Sequence, residues 1–139
     1  MRVVERLRTA GERGADVLSA AALHDVIEDC GVKREELESR FGARVARLVG
    51  DLTRAKEQSF AQYLAQLQES SREAKVIKLS DRLDNVREMR LFGVSSFGEM
   101  PVAEYLLQSK EVVEICGDAS RELASALADE IVKAEGAGH

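Results

Sequence analysis

The sequence predicts an all-α domain of about six or seven helices around one core, and three observations support that prediction. The 139 residues are 45% hydrophobic and 32% charged, a composition that is typical of a globular domain. A single proline and the absence of tryptophan suit helices better than a sheet with many turns. No segment alternates apolar and polar residues for long enough to form a strand, whereas several segments repeat apolar residues at helical spacing. We expect one helical domain over residues 1–135 and a flexible tail at 136–139.

Four helices are predicted in the first half of the chain. RVVERLRTA forms a short helix, and Asp16 is placed to cap a second helix that ends near Asp29. After a turn at Gly31, the segment KREELESRFG predicts a charged helix that stops near Gly42. The next segment, ARVARLVGDLTR, repeats large apolar residues at helical spacing and predicts a helix that packs on the core.

Three further helices are predicted in the second half. RAKEQ is expected to be a loop, and SFAQYLAQLQ predicts the helix that follows it. SREAKVIKLSDRLDNVREMRLFG predicts a longer helix that ends at Gly93, and VSSFGE predicts a turn. Pro101 suits the first turn of a helix, so one last long helix is expected from there to about Ala134.

Charge and hydropathy speak against two classes of partner. The net charge of −5 disfavours a broad nucleic-acid surface, which needs clustered Lys and Arg, but it is compatible with a local basic pocket for a small anion. No apolar run is long enough for a signal peptide or a membrane span, so we expect no membrane partner and a cytoplasmic location. Cys30 and Cys116 have neither a metal-binding nor a disulfide spacing and are expected to be small core residues. Homo-oligomerisation is left open.

The segment ALHDVIEDCG places four ionisable side chains in one predicted helix, namely His24, Asp25, Glu28 and Asp29. On a helical wheel they form two pairs four residues apart, on a side that is apolar one turn earlier. Charges at the end of such a buried helix cost several kcal/mol unless they bind a metal, a base or one another. The alternative is that the two acids at the helix end face water beside a core histidine, and this segment alone favours neither interpretation.

A second polar cluster lies in AKVIKLSDRLDNVREM. The apolar stripe of this predicted helix consists of Val76, Leu79, Leu83 and Val86. On a different face, Asp81 and Asn85 lie four residues apart, and two cations, Lys78 and Arg82, lie beside them. A carboxylate, an amide and two cations on one face predict an anion site. The alternative is a salt-bridged face in solvent, which charge runs on helices usually form and which this segment alone favours.

Together, HDVIEDCGV, ELESRFGARVARLVGDLT and VIKLSDRLDNVR resemble the HD-domain metal-dependent phosphohydrolases. More narrowly, they resemble the (p)ppGpp hydrolases, which include the hydrolase half of RelA/SpoT-type enzymes and the small stand-alone alarmone hydrolases. The resemblance extends from about Arg2 to about Ile131. It implies an HD-domain helical bundle, a divalent metal that is usually manganese, and a guanine nucleotide as substrate. The implied reaction is hydrolysis of ppGpp at its 3′-pyrophosphate, which releases GDP and pyrophosphate.

The resemblance also implies roles for individual acids and a histidine. It implies that the protein ligands of the metal are His24, Asp25 and Asp81. It assigns the positioning and activation of the attacking water to Glu28 and Asp29. An imidazole with carboxylates suits Mn, Fe or Zn, and such an ion lowers the pKa of bound water and neutralises phosphate charge. A nearby carboxylate can then accept the proton of that water.

The resemblance implies a substrate contact as well. Asn85 matches an asparagine that contacts the nucleotide. Lys78 and Arg82, the two cations of the predicted anion site, lie beside it. Tyr105, in VAEYLLQ, falls where the small stand-alone members have a substrate-contacting tyrosine. These four residues form the expected substrate-binding set.

The sequence departs from the family pattern at its beginning. The family's first metal-ligand histidine lies about 25 residues before the His-Asp pair, and that position falls just before Met1. The second histidine of the chain, His139, stands in a Gly-rich tail and is a poor substitute. We therefore expect a chain that is truncated relative to the family and a metal that binds weakly or not at all.

Two substitutions within the motifs also differ from the family pattern. Cys30 stands where relatives often have Thr, and Asp84 replaces the His or Tyr that often precedes the asparagine. These differences affect the expected substrate more than the expected fold. Two alternatives stay open: an HD phosphohydrolase that acts on another nucleotide, such as NADPH or a nucleoside monophosphate, and a catalytically silent helical module that binds a nucleotide or a partner protein.

Overall fold

The computed structural model describes residues 34–54, 57–93, 96–97 and 100–137. This part of the chain contains six α-helices, one short 3-10 turn and one two-stranded hairpin, so the predicted all-α class is confirmed. The first two predicted helices lie outside the described residues. The same holds for Cys30 and for the predicted site residues His24, Asp25, Glu28 and Asp29.

Helices α1 (Arg34–Phe41) and α2 (Ala43–Leu52) occupy the segments that the sequence predicts. Gly42 separates them with a φ of 95°, in the region that favours glycine, because residues with a side chain rarely adopt it. α1 contributes Leu37 to the core. α2 is amphipathic, and its buried residues are Val45, Ala46, Leu48, Val49 and Leu52.

Helix α3 (Phe60–Gln68) begins with a capping box, in which Ser59 Oγ accepts from the Gln62 amide and the Gln62 side chain accepts from the Ser59 amide. Side chains of α3 form hydrogen bonds with the end of α2. The Tyr63 hydroxyl donates to the Leu52 carbonyl, and the side-chain amide of Gln66 donates to the carbonyls of Asp51 and Thr53. These bonds satisfy carbonyls that the end of α2 leaves without helical partners.

Helix α4 (Arg72–Phe92) runs through the centre of the described fold and packs against α2, α5 and α6. Ser71 caps its start, and Gly93 ends it in the left-handed region with a φ of 62°, as the sequence predicts. The predicted apolar stripe is confirmed, since each of its members is at most 2% exposed: Val76, Leu79, Leu83 and Val86.

The prediction of one last long helix is wrong, because the structure has two helices there: α5 (Val102–Cys116) and α6 (Arg121–Ala137). A 3-10 turn over Gly117–Ala119 separates them, and Ser120 is extended. The Ser120 hydroxyl accepts from the Leu123 amide at 3.2 Å and so caps the new helix. The break allows α6 to turn back and pack on both α4 and α5.

The ends of these last elements also differ from expectation. Strand β1 (Ser96–Phe97) lies within the segment predicted as a turn, and it pairs in antiparallel register with β2 (Met100–Pro101), which directly follows that segment. Pro101 is the N-cap of α5. α6 continues to Ala137, so residues 136 and 137, which were expected in the tail, are helical.

Two further observations bear on the expectations from composition. Cys116 is fully buried, and burial raises the pKa of its thiol to about 11, which fits the predicted role as a small core residue. Among the helices that the structure describes, none is long and apolar enough to cross a membrane.

Candidate functional site

The polar face of α4 lies largely inside the fold. Lys78 and Asp81 have side chains that are 13% and 20% exposed, and Lys78 Nζ lies 3.9 Å from Asp81 Oδ2. Arg82 is 6% exposed, and Asn85 is half-buried. The alternative of a salt-bridged face in solvent is therefore wrong, because exposed surface pairs would leave these side chains in water.

Asn85 and Tyr105 meet across α4 and α5. Asn85 Nδ2 donates to the Tyr105 hydroxyl at 3.0 Å, although the two residues are 20 positions apart in the sequence. Tyr105 is 4% exposed. Burial raises the pKa of Tyr105 to about 12, and the charge of Asp81 adds to this, whereas Arg82 and the hydrogen bond from Asn85 act in the opposite direction. The hydroxyl therefore stays protonated near neutral pH and can both donate and accept.

Arg82 is enclosed by rings and a hydroxyl group. Its guanidinium carbon lies 4.2 Å from the centroid of the Tyr105 ring and 5.7 Å from that of Phe60. Its Nη1 donates to Ser109 Oγ at 3.2 Å. Within the described part of the chain, its Nε has no hydrogen-bond partner. The structure thus places Arg82 against the ring of Tyr105, in a buried layer between α3 and α5.

Sequence reasoning missed two residues of this arrangement, Phe60 and Ser109. Ser109 follows Tyr105 by one helical turn, and its hydroxyl donates to the Tyr105 carbonyl at 2.8 Å. A small polar residue in the otherwise apolar stripe of α5 was the available signal. Phe60 opens α3, and nothing in the sequence relates it to α4.

Lys78 faces a second aromatic ring. Its Nζ lies 5.0 Å from the centroid of the Tyr63 ring, within the range of a cation–π interaction, and 3.9 Å from the Asp81 carboxylate. Both contacts hold a positive charge close to Asp81 in a half-buried setting. The described site thus contains a carboxylate, an amide, a phenol and an ammonium group at the junction of α3, α4 and α5.

The described residues supply one of the three predicted metal ligands, Asp81. No group of three or more His, Cys, Asp or Glu residues that could hold a metal occurs among the residues that the structure describes. The other predicted ligands, His24 and Asp25, lie outside that part. A partly shielded carboxylate such as Asp81 suits a hard divalent cation, and the predicted imidazole would extend the choice to Mn, Fe or Zn.

Sequence comparison relates the chain to characterised proteins. The HD-domain family matches residues 1–95. The guanosine-3′,5′-bis(diphosphate) 3′-pyrophosphohydrolase MESH1 of Mus musculus is 36% identical over 122 residues, which cover 85% of this chain and 68% of the mouse enzyme. The enzyme of the same name from Homo sapiens is 37% identical over 123 residues, with the same coverage of both chains.

Structural comparison leads to the same family. A metazoan orthologue of SpoT that hydrolyses ppGpp superposes with a TM-score of 0.82 at 32% identity, over 98% of this chain and 79% of that chain. A crystal structure of a Listeria monocytogenes protein also has a TM-score of 0.82, at 24% identity, over 94% of this chain and 88% of that chain; this likeness concerns the fold alone. The chain therefore belongs to the HD-domain family, and its relatives there include 3′-pyrophosphohydrolases of guanosine-3′,5′-bis(diphosphate).

Proposed function

We propose that this chain is a metal-dependent phosphohydrolase that converts ppGpp to GDP and pyrophosphate. The observation that carries the proposal is the half-buried junction of Asp81, Asn85 and Tyr105, in a fold whose relatives catalyse this reaction. A surface ion-pair cluster would not need such burial, whereas a nucleotide site gains strength from it.

We infer that His24, Asp25 and Asp81 hold a divalent cation and that this cation is Mn²⁺. Divalent metal dependence is a property of the HD-domain hydrolases, and the donor set of imidazole and carboxylates suits Mn²⁺. When bound, such a cation supplies Lewis-acid chemistry: it makes water more acidic and neutralises charge on the phosphate. Lys78, 3.9 Å from Asp81, adds a fixed positive charge beside this carboxylate.

The remaining residues orient the reactants and move protons. Glu28 and Asp29 would position the water and accept its proton as its oxygen attacks phosphorus. The bond between phosphorus and the ribose 3′ oxygen breaks, the water oxygen stays on the released pyrophosphate, and the 3′ oxygen of GDP takes up a proton. Asn85 and Tyr105 would hold the nucleotide with an amide and a phenol, which can recognise ribose or base atoms by hydrogen bonds.

A product assay tests this proposal. The purified chain is incubated with Mn²⁺ and ppGpp, and GDP and pyrophosphate are measured alongside the Asp81→Asn variant. The matched control is Asp129→Asn, which makes the same chemical change at an exposed position of α6. We expect equal amounts of GDP and pyrophosphate from the unmodified chain and the control, and neither product from Asp81→Asn.

Two other results would contradict the proposal. Release of inorganic phosphate from NADPH or a nucleoside monophosphate, with ppGpp left intact, would identify an HD phosphohydrolase of different specificity. Absence of both turnover and bound Mn²⁺ in a folded chain, and equally in a version extended upstream to restore the family's first metal-ligand histidine, would identify a silent binding module.

A further inference from the structure

We propose that Arg82 is a positioning residue, which holds Tyr105, and through it the hydrogen bond with Asn85, in the orientation that receives the nucleotide. Sequence alone placed Arg82 among the residues that touch the substrate. The structure assigns it a place against the ring of one of them. The inference rests on the proposed function, since Tyr105 and Asn85 are the proposed nucleotide contacts.

The first observation is how Arg82 is enclosed. The residue is 6% exposed, and its guanidinium lies 4.2 Å from the Tyr105 ring centroid and 5.7 Å from that of Phe60. A planar, delocalised guanidinium stacks on aromatic faces better than an ammonium group does. In this position the Arg82 guanidinium packs against the Tyr105 ring and is shielded from solvent.

The second observation is a chain of hydrogen bonds from Arg82 to the backbone of Tyr105. Arg82 Nη1 donates to Ser109 Oγ at 3.2 Å, and Ser109 Oγ donates to the Tyr105 carbonyl at 2.8 Å. Asn85, one turn after Arg82 on α4, donates to the Tyr105 hydroxyl at 3.0 Å. Tyr105 is therefore held at its ring, its backbone and its hydroxyl by residues of the α4–α5 contact.

The third observation is that Arg82 is not optimised for stability. Its Nε is buried without a hydrogen-bond partner in the described part of the chain, and such an orphaned donor costs free energy. A neutral side chain of similar size would fill the same space without desolvating a charge. The cost indicates a role other than stability, and the contacts with Tyr105 make the orientation of that ring the role we infer.

A double-mutant cycle tests whether Arg82 acts through Tyr105. Steady-state kinetics with ppGpp and Mn²⁺ are measured for Arg82→Met, Tyr105→Leu and the double variant. We expect Arg82→Met to raise KM by about 2- to 30-fold, the range of a partly to fully desolvated cation–π contact, with kcat within about threefold. In the Tyr105→Leu background the same change should have little further effect, because the residue through which it acts is gone.

Two further variants define the mechanism. Arg82→Lys keeps the charge but loses the planar stack, so it should rescue only part of the KM effect. Arg87→Met, an exposed position on the same helix, is the matched control and should leave both constants unchanged. An undiminished Arg82→Met effect in the Tyr105→Leu background, or a fall in kcat accompanied by loss of bound Mn²⁺, would overturn the proposal.

A spectroscopic readout keeps the inference testable without turnover. The sequence contains two tyrosines, so 3-fluorotyrosine labelling should give two ¹⁹F resonances, which Tyr63→Phe assigns. We expect Arg82→Met to shift the Tyr105 resonance and weaken its response to GDP, while the Tyr63 resonance changes little. An unchanged Tyr105 resonance would overturn the inference. If the unmodified chain does not hydrolyse ppGpp, the proposed function fails, but a comparison of the response of this resonance to GDP in the unmodified chain and in Arg82→Met still shows whether Arg82 positions Tyr105.

Discussion

Two arginines of α4, Arg82 and Arg90, have contrasting environments. Arg90 forms two hydrogen bonds with Glu130 of α6, from Nε at 2.7 Å and from Nη2 at 3.3 Å. Arg82, a little over two turns earlier, contacts two rings and one hydroxyl, and one of its nitrogens has no hydrogen-bond partner among the described residues. One helix thus contains a fully compensated cation and a poorly compensated one.

The difference separates a structural part of the helix from a functional part. The bidentate geometry at Arg90 neutralises both charges and connects α4 to α6, and its hydrogen bonds hold the pKa of Glu130 below its usual value. Around Arg82, charged and polar groups are buried next to Asp81 and Asn85 with less compensation. Functional sites are where proteins accept such local costs. The comparison predicts that substitutions in the middle of α4 and near its C-terminal end affect different properties.

The largest effect is expected at Asp81. Asp81→Asn should lower kcat/KM for ppGpp by at least about 1000-fold, because removing a metal ligand removes several kcal/mol of transition-state stabilisation. It should leave the melting temperature nearly unchanged, since the side chain is half-buried and similar in size to asparagine. Calorimetry of the same samples measures the melting temperature, and metal analysis measures the bound Mn²⁺. A variant with normal turnover would show that Asp81 is not a metal ligand.

The next effect is expected near the C-terminal end of α4, where Arg90 contacts Glu130 of α6. Glu130→Gln should lower the melting temperature by about 3–6 °C, because the carboxylate that accepts two hydrogen bonds from Arg90 is lost. Turnover below the melting transition should be unchanged. If this variant lost activity while folded, the division of α4 into a structural and a functional part would be wrong.

Most helices of the described fold could be predicted because their ends carry local signals. Gly42, Ser59 and Gly93 end or cap helices with chemistry that is visible in the sequence. The break after Cys116 was missed although GDAS contains a glycine and the serine that caps α6, because without a proline such residues can also stand inside a helix. Two-residue strands such as Ser96–Phe97 are too short to show a periodic pattern.

The site was predictable to a smaller extent. Helical spacing correctly placed Asp81 and Asn85 away from the apolar stripe, but spacing does not report burial. The surroundings of the neighbouring Arg82 come from α3 and α5, which bring Phe60 and Ser109 to it from distant parts of the sequence. Tyr105 was found only through the family resemblance, because a tyrosine on an amphipathic helix is usually part of the core. The roles of His24, Asp25, Glu28 and Asp29 stay predictions.

A smaller effect is expected at Asn85. Asn85→Ala removes the amide that donates to the Tyr105 hydroxyl and should raise KM for ppGpp by about 2- to 10-fold, the value of one hydrogen bond. Tyr105→Phe removes the same hydrogen bond by deleting its acceptor, the Tyr105 hydroxyl. If the bond positions the nucleotide, the double variant should be little worse than the stronger single variant. Fully additive effects in steady-state kinetics would mean that the two residues act independently.

The smallest effect concerns the pH dependence of the Arg90–Glu130 pair. Because the pKa of Glu130 is lower in the folded chain than its usual 4.5, ionised Glu130 adds stability above that pH. As the pH falls through the folded pKa, the carboxylate takes up a proton and this contribution is lost. The melting temperatures of the unmodified chain and Glu130→Gln should therefore differ at pH 7 and converge as the pH falls below 4.5. The change in this difference with pH should be smaller than the difference at pH 7, since a protonated glutamate still accepts a hydrogen bond from Arg90. If the difference between the two melting temperatures stayed constant over a pH series, the effect of Glu130→Gln would come from packing. The charge pair would then not be the feature that distinguishes Arg90 from Arg82.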